Sequence, residues 1–227
     1  MDVEVLSSIA TREAYLELVP QFERETGSKV LTTWSGTTDI MKRMAAGETY
    51  DLVIVSSVEL EKLIEQGRIQ AGSRTDIATC GIGVAVAKGA PKPDIGSADR
   101  LKQALLAAKT VGYTSGPSGV YMAQLVERMG IADAVKAKHR GVPSGGTIGS
   151  IVATGEAEIG FQQISELVHI GGIDVVGPLP AEIQCITRFC CGVHSGAKNP
   201  DGARALARFL AAPARLPVMK KHGLEPA

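Results

Sequence analysis

Strand-like and helix-like runs take turns along the 227 residues of this chain, and that alternation limits the fold more than any other feature. Short apolar runs that read as strands fall near 2–6, 29–34, 51–56, 80–87, 110–114, 157–162, 173–177 and 184–193. Runs with the helical apolar period fall near 12–25, 38–46, 58–66, 98–108, 119–129, 148–155, 199–211 and 213–221. Strands joined through helices pair in parallel, and parallel sheets carry helices on both faces. The first segment shows the pattern plainly. VEVLS is a strand, Ala14, Leu16, Leu18, Val19 and Phe22 supply a helical apolar face, and KVLTTW is the next strand.

Two long apolar runs, CGIGVAVAKGAPKP (80–93) and QCITRFCCGVH (184–194), follow finished strand–helix–strand sections and read as two crossover strands between two lobes. The expected fold is α/β and two-lobed, each lobe a mostly parallel sheet flanked by helices. Residues 1–83 with 187–227 form lobe 1, discontinuous in sequence, and 84–186 form lobe 2. A ligand cleft is expected between the lobes, at the carboxyl ends of the strands.

The turns after the major strands share a chemistry. They are Ser7-Ser8-Ile9-Ala10-Thr11, Ser35-Gly36-Thr37-Thr38, Ser115-Gly116-Pro117-Ser118-Gly119, Ser144-Gly145-Gly146-Thr147, and Gln162-Gln163 with Ser165. Each offers hydroxyl or amide groups and opens a helix, whose first N–H groups and dipole favour an anion. One Ser/Thr/Gly turn is an ordinary helix cap. Five that follow strand ends gather at one edge of a sheet and predict a site that binds a small anion with dipoles rather than lysines. Arg12, just past the first turn, is placed to grip a carboxylate bidentately.

Other chemistries fail on spacing. A nucleophile elbow is G-x-S-x-G, and Gly116-Pro117-Ser118-Gly119 brings the second glycine one place early. No GxxxxGK[ST] occurs, so the phosphate-loop reading fails too. The four cysteines lack CxxC spacing and sit in apolar runs, as free buried thiols do. The histidines are scattered, so no metal site is expected, and nothing in the pattern calls for a cofactor. Lys+Arg and Asp+Glu balance at 24 each with no basic block, which argues against nucleic acid. No apolar run reaches the roughly 18–20 residues of a membrane span, so no membrane insertion is expected. Balanced charge without an apolar surface stripe points to a monomer.

The ordered segments VEVLSSIA, QFERETG, KVLTTWSGTTDIMKRMAAGETYDLVIVSS, SGPSGVYMAQLVERMGI, GEAEIGFQQISEL and VVGPLPAEI resemble the type II periplasmic solute-binding proteins, in the molybdate-binding-protein-like branch. The resemblance covers nearly the whole chain. It implies two α/β lobes that close on tetrahedral oxyanions through serine hydroxyls and backbone N–H groups. It places ligand contacts at Ala10, Gly36, Thr37, Thr38, Pro117, Ser118, Gly119 and Gln163, and the reading of the turns adds Ser7, Ser8, Arg12, Ser115, Gly145, Gly146, Thr147 and Gln162. The departures matter. A ligand-contacting serine of the molybdate binders falls on Ala10, and a tyrosine that reaches the oxyanion falls on Gln163. The extra amides suit a planar carboxylate or a larger polar ligand.

The same branch includes aconitate isomerase, so a cis/trans or allylic isomerase of an unsaturated di- or tricarboxylate is the alternative reading. Such chemistry needs a base near neutral pKa, and the candidates are Glu166, beside the two glutamines, and His194, at the end of the second long run. A ligand sensor acting through a partner protein is a third reading. Asp51, at the start of a strand, reads as structural. Met1-Asp2 leads straight into VEVLS with neither a basic start nor an apolar h-region. A native start at Met1 predicts a cytoplasmic protein. A mature secreted form predicts a periplasmic one, with an ABC transporter permease as partner.

Overall fold

The computed structural model describes residues 2–142 and 146–227. The chain divides into two compact units, Met1–Cys80 with Thr187–Ala227, and Gly81–Ile186. The strands are β1 (Val3–Ser8), β2 (Val30–Ser35), β3 (Leu52–Ser56), β4 (Thr75–Cys80), β5 (Ile82–Ala87), β6 (Val111–Tyr113), β7 (His139–Arg140), β8 (Ile159–Gln163), β9 (Ile173–Pro178) and β10 (Thr187–Val193). The helices are α1 (Arg12–Thr26), α2 (Thr37–Ala45), α3 (Ser57–Glu65), α4 (Ala98–Ala107), α5 (Pro117–Arg128), α6 (Ala132–Lys136), α7 (Ile148–Ala153), α8 (Ile164–Leu167), α9 (Pro200–Ala211) and α10 (Leu216–Lys221).

The first unit carries a sheet ordered β2-β1-β3-β10-β4. β1, β2 and β3 are parallel, and β10 runs antiparallel to both β3 and β4. Four of the five strands therefore point one way. Leu6, Ile40, Met44, Val53, Val55, Leu60, Leu63, Ile69 and Cys190 form a buried cluster that seats α2 and α3 against the sheet. Alternate residues face the other way, as the pleat requires. There Val3 lies under Gly202 of α9, and Phe22 of α1 meets Phe209 of α9 edge-on at 5.4 Å. Asp51 is the structural residue its position suggested. Its carboxylate accepts from the N–H of Glu4 at 2.8 Å and from the N–H of Asn199 at 2.7 Å, tying β1 and the start of α9 to β3.

The second unit carries a sheet ordered β7-β6-β8-β5-β9. β6, β7 and β8 are parallel, and β5 is antiparallel to β8 and β9. Ile82, Val84, Val111, Tyr113 and Phe161 pack with Leu101 and Leu105 of α4 and Met122, Leu125 and Val126 of α5. On the opposite face α7 sits unusually close. A Cβ at Gly160 would come within 2.5 Å of Val152, and one at Gly112 within 3.2 Å of Ile148. The glycines of VGY and IGF are what let that helix approach.

Three differences from the sequence reading have plain causes. The run 80–87 is two strands, because Gly81 separates Cys80, in one sheet, from Ile82, in the other; the chain enters the second unit there rather than at 84. Of the run 184–194, residues 184–186 belong to the second unit and β10 starts at Thr187, so the chain passes between the units inside each long run, as expected, and the remainder of each run is a strand of one sheet. Helix α5 starts at Pro117, two residues earlier than its apolar period suggests, because proline at the first helical position has a helical φ built in. None of the four cysteines is in a disulfide; Cys80, Cys190 and Cys191 are buried and Cys185 is half-buried. Among the described residues no helix is long and apolar enough to cross a membrane, and no His/Cys/Asp/Glu group has the arrangement of a metal site.

Candidate ligand-binding site

In the first unit the parallel strands β1, β2 and β3 end together at Ser8, Ser35 and Ser56, so their turns share one sheet edge. The first turn is bonded to itself. The Ser7 hydroxyl lies 3.2 Å from that of Thr11, Thr11 Oγ1 donates to the Ser8 carbonyl at 3.1 Å, and Ser8 Oγ accepts from the Ala10 N–H at 3.4 Å. Ser7, Ser8, Ala10 and Thr11 are all buried. Arg12 is exposed, its guanidinium 3.4 Å from the Glu13 carboxylate on the same turn. The second turn is open. Gly36 caps α2 with backbone alone, and among the described residues no side-chain cap bonds the start of this helix. Ser56 spends its hydroxyl on the Glu59 carboxylate.

In the second unit β6 and β8 also end at one edge, since Tyr113 pairs with Phe161 in parallel. Helix α5 starts there on Gly116, again with no side-chain cap. Ser115 is exposed, Pro117 is the first helical residue, and Ser118 is buried in the first turn. Gly119 is obligatory, because a Cβ would lie 1.6 Å from the Thr114 carbonyl oxygen. By contrast α4, α7 and α9 carry caps from Ser97, Thr147 and Asn199. Uncapped helix starts leave N–H donors for a ligand.

Gln162 and Gln163 project from opposite faces of β8. Gln162 is 2 % exposed, and its amide is committed within the protein. Oε1 accepts from the Ile148 N–H at 2.8 Å, and Nε2 donates to Glu166 Oε2 at 2.5 Å. It is therefore a link between α7 and α8 rather than a ligand-facing amide. Gln163 is equally buried, at the strand end. Glu166 is partly exposed as a residue, but its carboxyl end is densely surrounded. Burial pushes its pKa up to about 7 against the opposing effect of the Gln162 hydrogen bond. Gly146 is exposed and Thr147 caps α7; Gly145 lies outside the described residues.

His194 does not join the strand-end turns of its unit. β10 is antiparallel, so Phe189 pairs with Ser56 while Val193 pairs with Leu52. His194 follows Val193, at the opposite edge of the sheet, about 17 Å away at 3.3 Å per strand residue. Its Nδ1 accepts from the Gly196 N–H at 3.0 Å, and its backbone N–H donates to Asp51 O. Burial first, then Arg68, lower its pKa.

Residues 3–225 match the family of bacterial extracellular solute-binding proteins, and the chain belongs to it. Within that family it is 37 % identical to an aconitate isomerase from a Pseudomonas species, over 98 % of this chain and 87 % of the relative. It is 28 % identical to the molybdate-binding protein ModA of Azotobacter vinelandii, over 91 % of this chain and 83 % of the relative. The solved periplasmic molybdate-binding protein of Azotobacter vinelandii superposes with a TM-score of 0.82 at 18 % identity, covering 99 % of both chains.

Proposed function

We propose that the chain binds a small organic carboxylate at its strand-end turns. The observation that carries this is the pair of long helices, α2 and α5, that start on glycine with no side-chain cap. Buried hydroxyls accompany them, and Arg12 is the one cationic residue in these turns. Dipoles and hydroxyls fixed in place hold an anion without a fixed counter-charge. The absence of a serine at Ala10 and the presence of Gln163 at the end of β8 favour a carboxylate over a tetrahedral oxyanion, and so does the higher identity to an aconitate isomerase than to a molybdate binder.

A thermal-shift panel of molybdate, tungstate, sulfate, phosphate, citrate and cis- and trans-aconitate tests this. A carboxylate at 100 times its Kd stabilises by about 2.7 kcal/mol. A response to molybdate or tungstate alone overturns the carboxylate reading. The double variant Ser118→Ala, Thr37→Ala is expected to lose about 3 kcal/mol of binding, since hydrogen bonds to charged groups are worth roughly 1.5–3 kcal/mol each. Unchanged affinity there would remove these turns from the site.

A second reading, an isomerase of unsaturated carboxylates, is favoured by Glu166. A carboxyl with a pKa of about 7 suits proton removal from carbon beside a carboxylate and return of that proton to another carbon. Deuterium appearing at carbon when cis-aconitate is incubated with the protein in D2O supports it; recovery of unlabelled, unisomerised ligand refutes it. A transport role would instead require a periplasmic location and a permease partner.

A further inference from the structure

We propose that Glu166 donates a carboxyl proton from Oε1 to an oxygen of the bound anion, with Gln162 as the residue that positions it, so that anion and proton bind together. The inference rests on the anion-binding reading above. Its starting point is the orientation of one amide. The Ile148 N–H can only donate, so the Gln162 atom 2.8 Å from it must be the acceptor Oε1. The amide cannot flip without setting two donors against each other and an oxygen against a carboxylate. Its NH2 group therefore faces Glu166, and Glu166 Oε2 is locked as an acceptor.

A proton on this carboxyl consequently resides on Oε1. That atom has no hydrogen-bond partner among the described residues, and Glu166 is partly exposed in the first turn after β8. The setting favours the neutral acid. Burial dominates, Gln162 alone opposes it, and no charged group on α7, β5, β8 or α8 contributes. His169, the next titratable residue along the chain, is exposed. A neutral acid beside an anion is a donor, while an ionised one repels it. Binding must then raise proton affinity at Glu166, and by reciprocity protonation must raise anion affinity.

The test uses cis-aconitate and citrate as probes on the full chain, by calorimetry in two buffers of different ionisation enthalpy. At pH 8, where the free carboxyl is mostly ionised, uptake should approach one proton per ligand, and affinity should fall about tenfold per pH unit above pH 7. Glu166→Gln keeps a neutral donor, so its affinity should be flat from pH 6.5 to 9. In the ligand-free protein, 13C NMR of the glutamate carboxyls should place Glu166 near pH 7. Gln162→Met should move that midpoint higher, because it removes the donor that favours the ionised form. A merely structural Gln162 would leave the midpoint in place and overturn the positioning role. A Glu166 midpoint near the ordinary glutamate value, or binding without proton uptake, overturns the assignment while leaving the proposed function standing. Failure of every panel anion to bind overturns the proposed function and the joint binding with it.

Discussion

In the first unit the strands run β2-β1-β3-β10-β4, and in the second β7-β6-β8-β5-β9. Position for position, each sheet has three parallel strands, then one antiparallel strand, then an edge strand parallel to the first three. The chemistry at the strand ends is where they part. The first unit ends its strands in serines, with Ser8 bonded to the Ala10 N–H, Ser56 to the Glu59 carboxylate, and Ser7 beside the Thr11 hydroxyl. The second ends β8 in two glutamines and a buried carboxyl. A shared backbone plan thus supports a preassembled hydroxyl-bearing edge in one unit and a titrating edge in the other. Helix starts on Gly36 and Gly116 recur in both. The common plan leaves uncapped helix starts in both units, and under the proposal above it is Glu166 that decides whether a proton comes with the anion.

Asp51→Ala should separate the units most sharply. It strips the acceptor from two backbone N–H groups in the first unit alone, at roughly 1.5–3 kcal/mol each, or about 4 kcal/mol in all. Hydrogen exchange followed by peptide should accelerate in 2–80 and 187–227 and stay unchanged in 81–186. Equal acceleration in both would show that the two units unfold as one.

Glu166 gives the second unit a pH dependence with a definite sign. Its folded pKa, about 7, lies above the ordinary glutamate value, so the folded state holds a proton that the unfolded state has released. Its contribution to stability is complete below about pH 4 and is lost as pH rises through 7. The loss is about 2–3 kcal/mol, reduced somewhat by the residue's partial exposure. Glu166→Gln should abolish that alkaline loss in melts from pH 5 to pH 8. A variant that loses stability with pH as the parent does would show that the carboxyl is not the titrating group.

The strand–helix alternation and the placement of the turns were legible because three consecutive βα segments keep a clean apolar period. Strand β4 was not. Its sequence, TDIATC, carries Asp76 and two threonines at a sheet edge, with Asp76 paired to Arg74 and Arg188, so it lacks the apolar density that marks a buried strand. Helix α8 is four residues long and too short to show a period. Among the site residues, adjacency misled. Gln162 and Gln163 are neighbours in sequence, but a strand sends them to opposite faces, and only the fold reveals that Gln162 is held by Ile148 and Glu166. His194 was drawn toward the site by its place after an apolar run. The antiparallel direction of β10, which a single sequence does not disclose, puts it at the far edge.

His194 supplies the smallest effect and the opposite sign. Nδ1 accepts from Gly196, so Nε2 carries the proton of the neutral ring, and Nε2 is buried without a partner among the described residues. A second proton would have to sit on Nδ1 and would displace the Gly196 N–H. Arg68 opposes that charge and Asp51 favours it, with burial dominating. The folded pKa lies below the ordinary value, so below about pH 6.5 the unfolded state binds a proton that the folded state refuses. Stability falls with acidification in that window, in the first unit, while the Glu166 contribution in the second unit is rising toward its full value. His194→Asn retains an acceptor for Gly196 and does not titrate. Melts of this variant between pH 7 and pH 5 should fall less steeply than those of the parent, with the difference confined to exchange in 2–80 and 187–227. If both slopes agree, the acid sensitivity of the first unit resides elsewhere, and the opposed titration of the two units reduces to Glu166 alone.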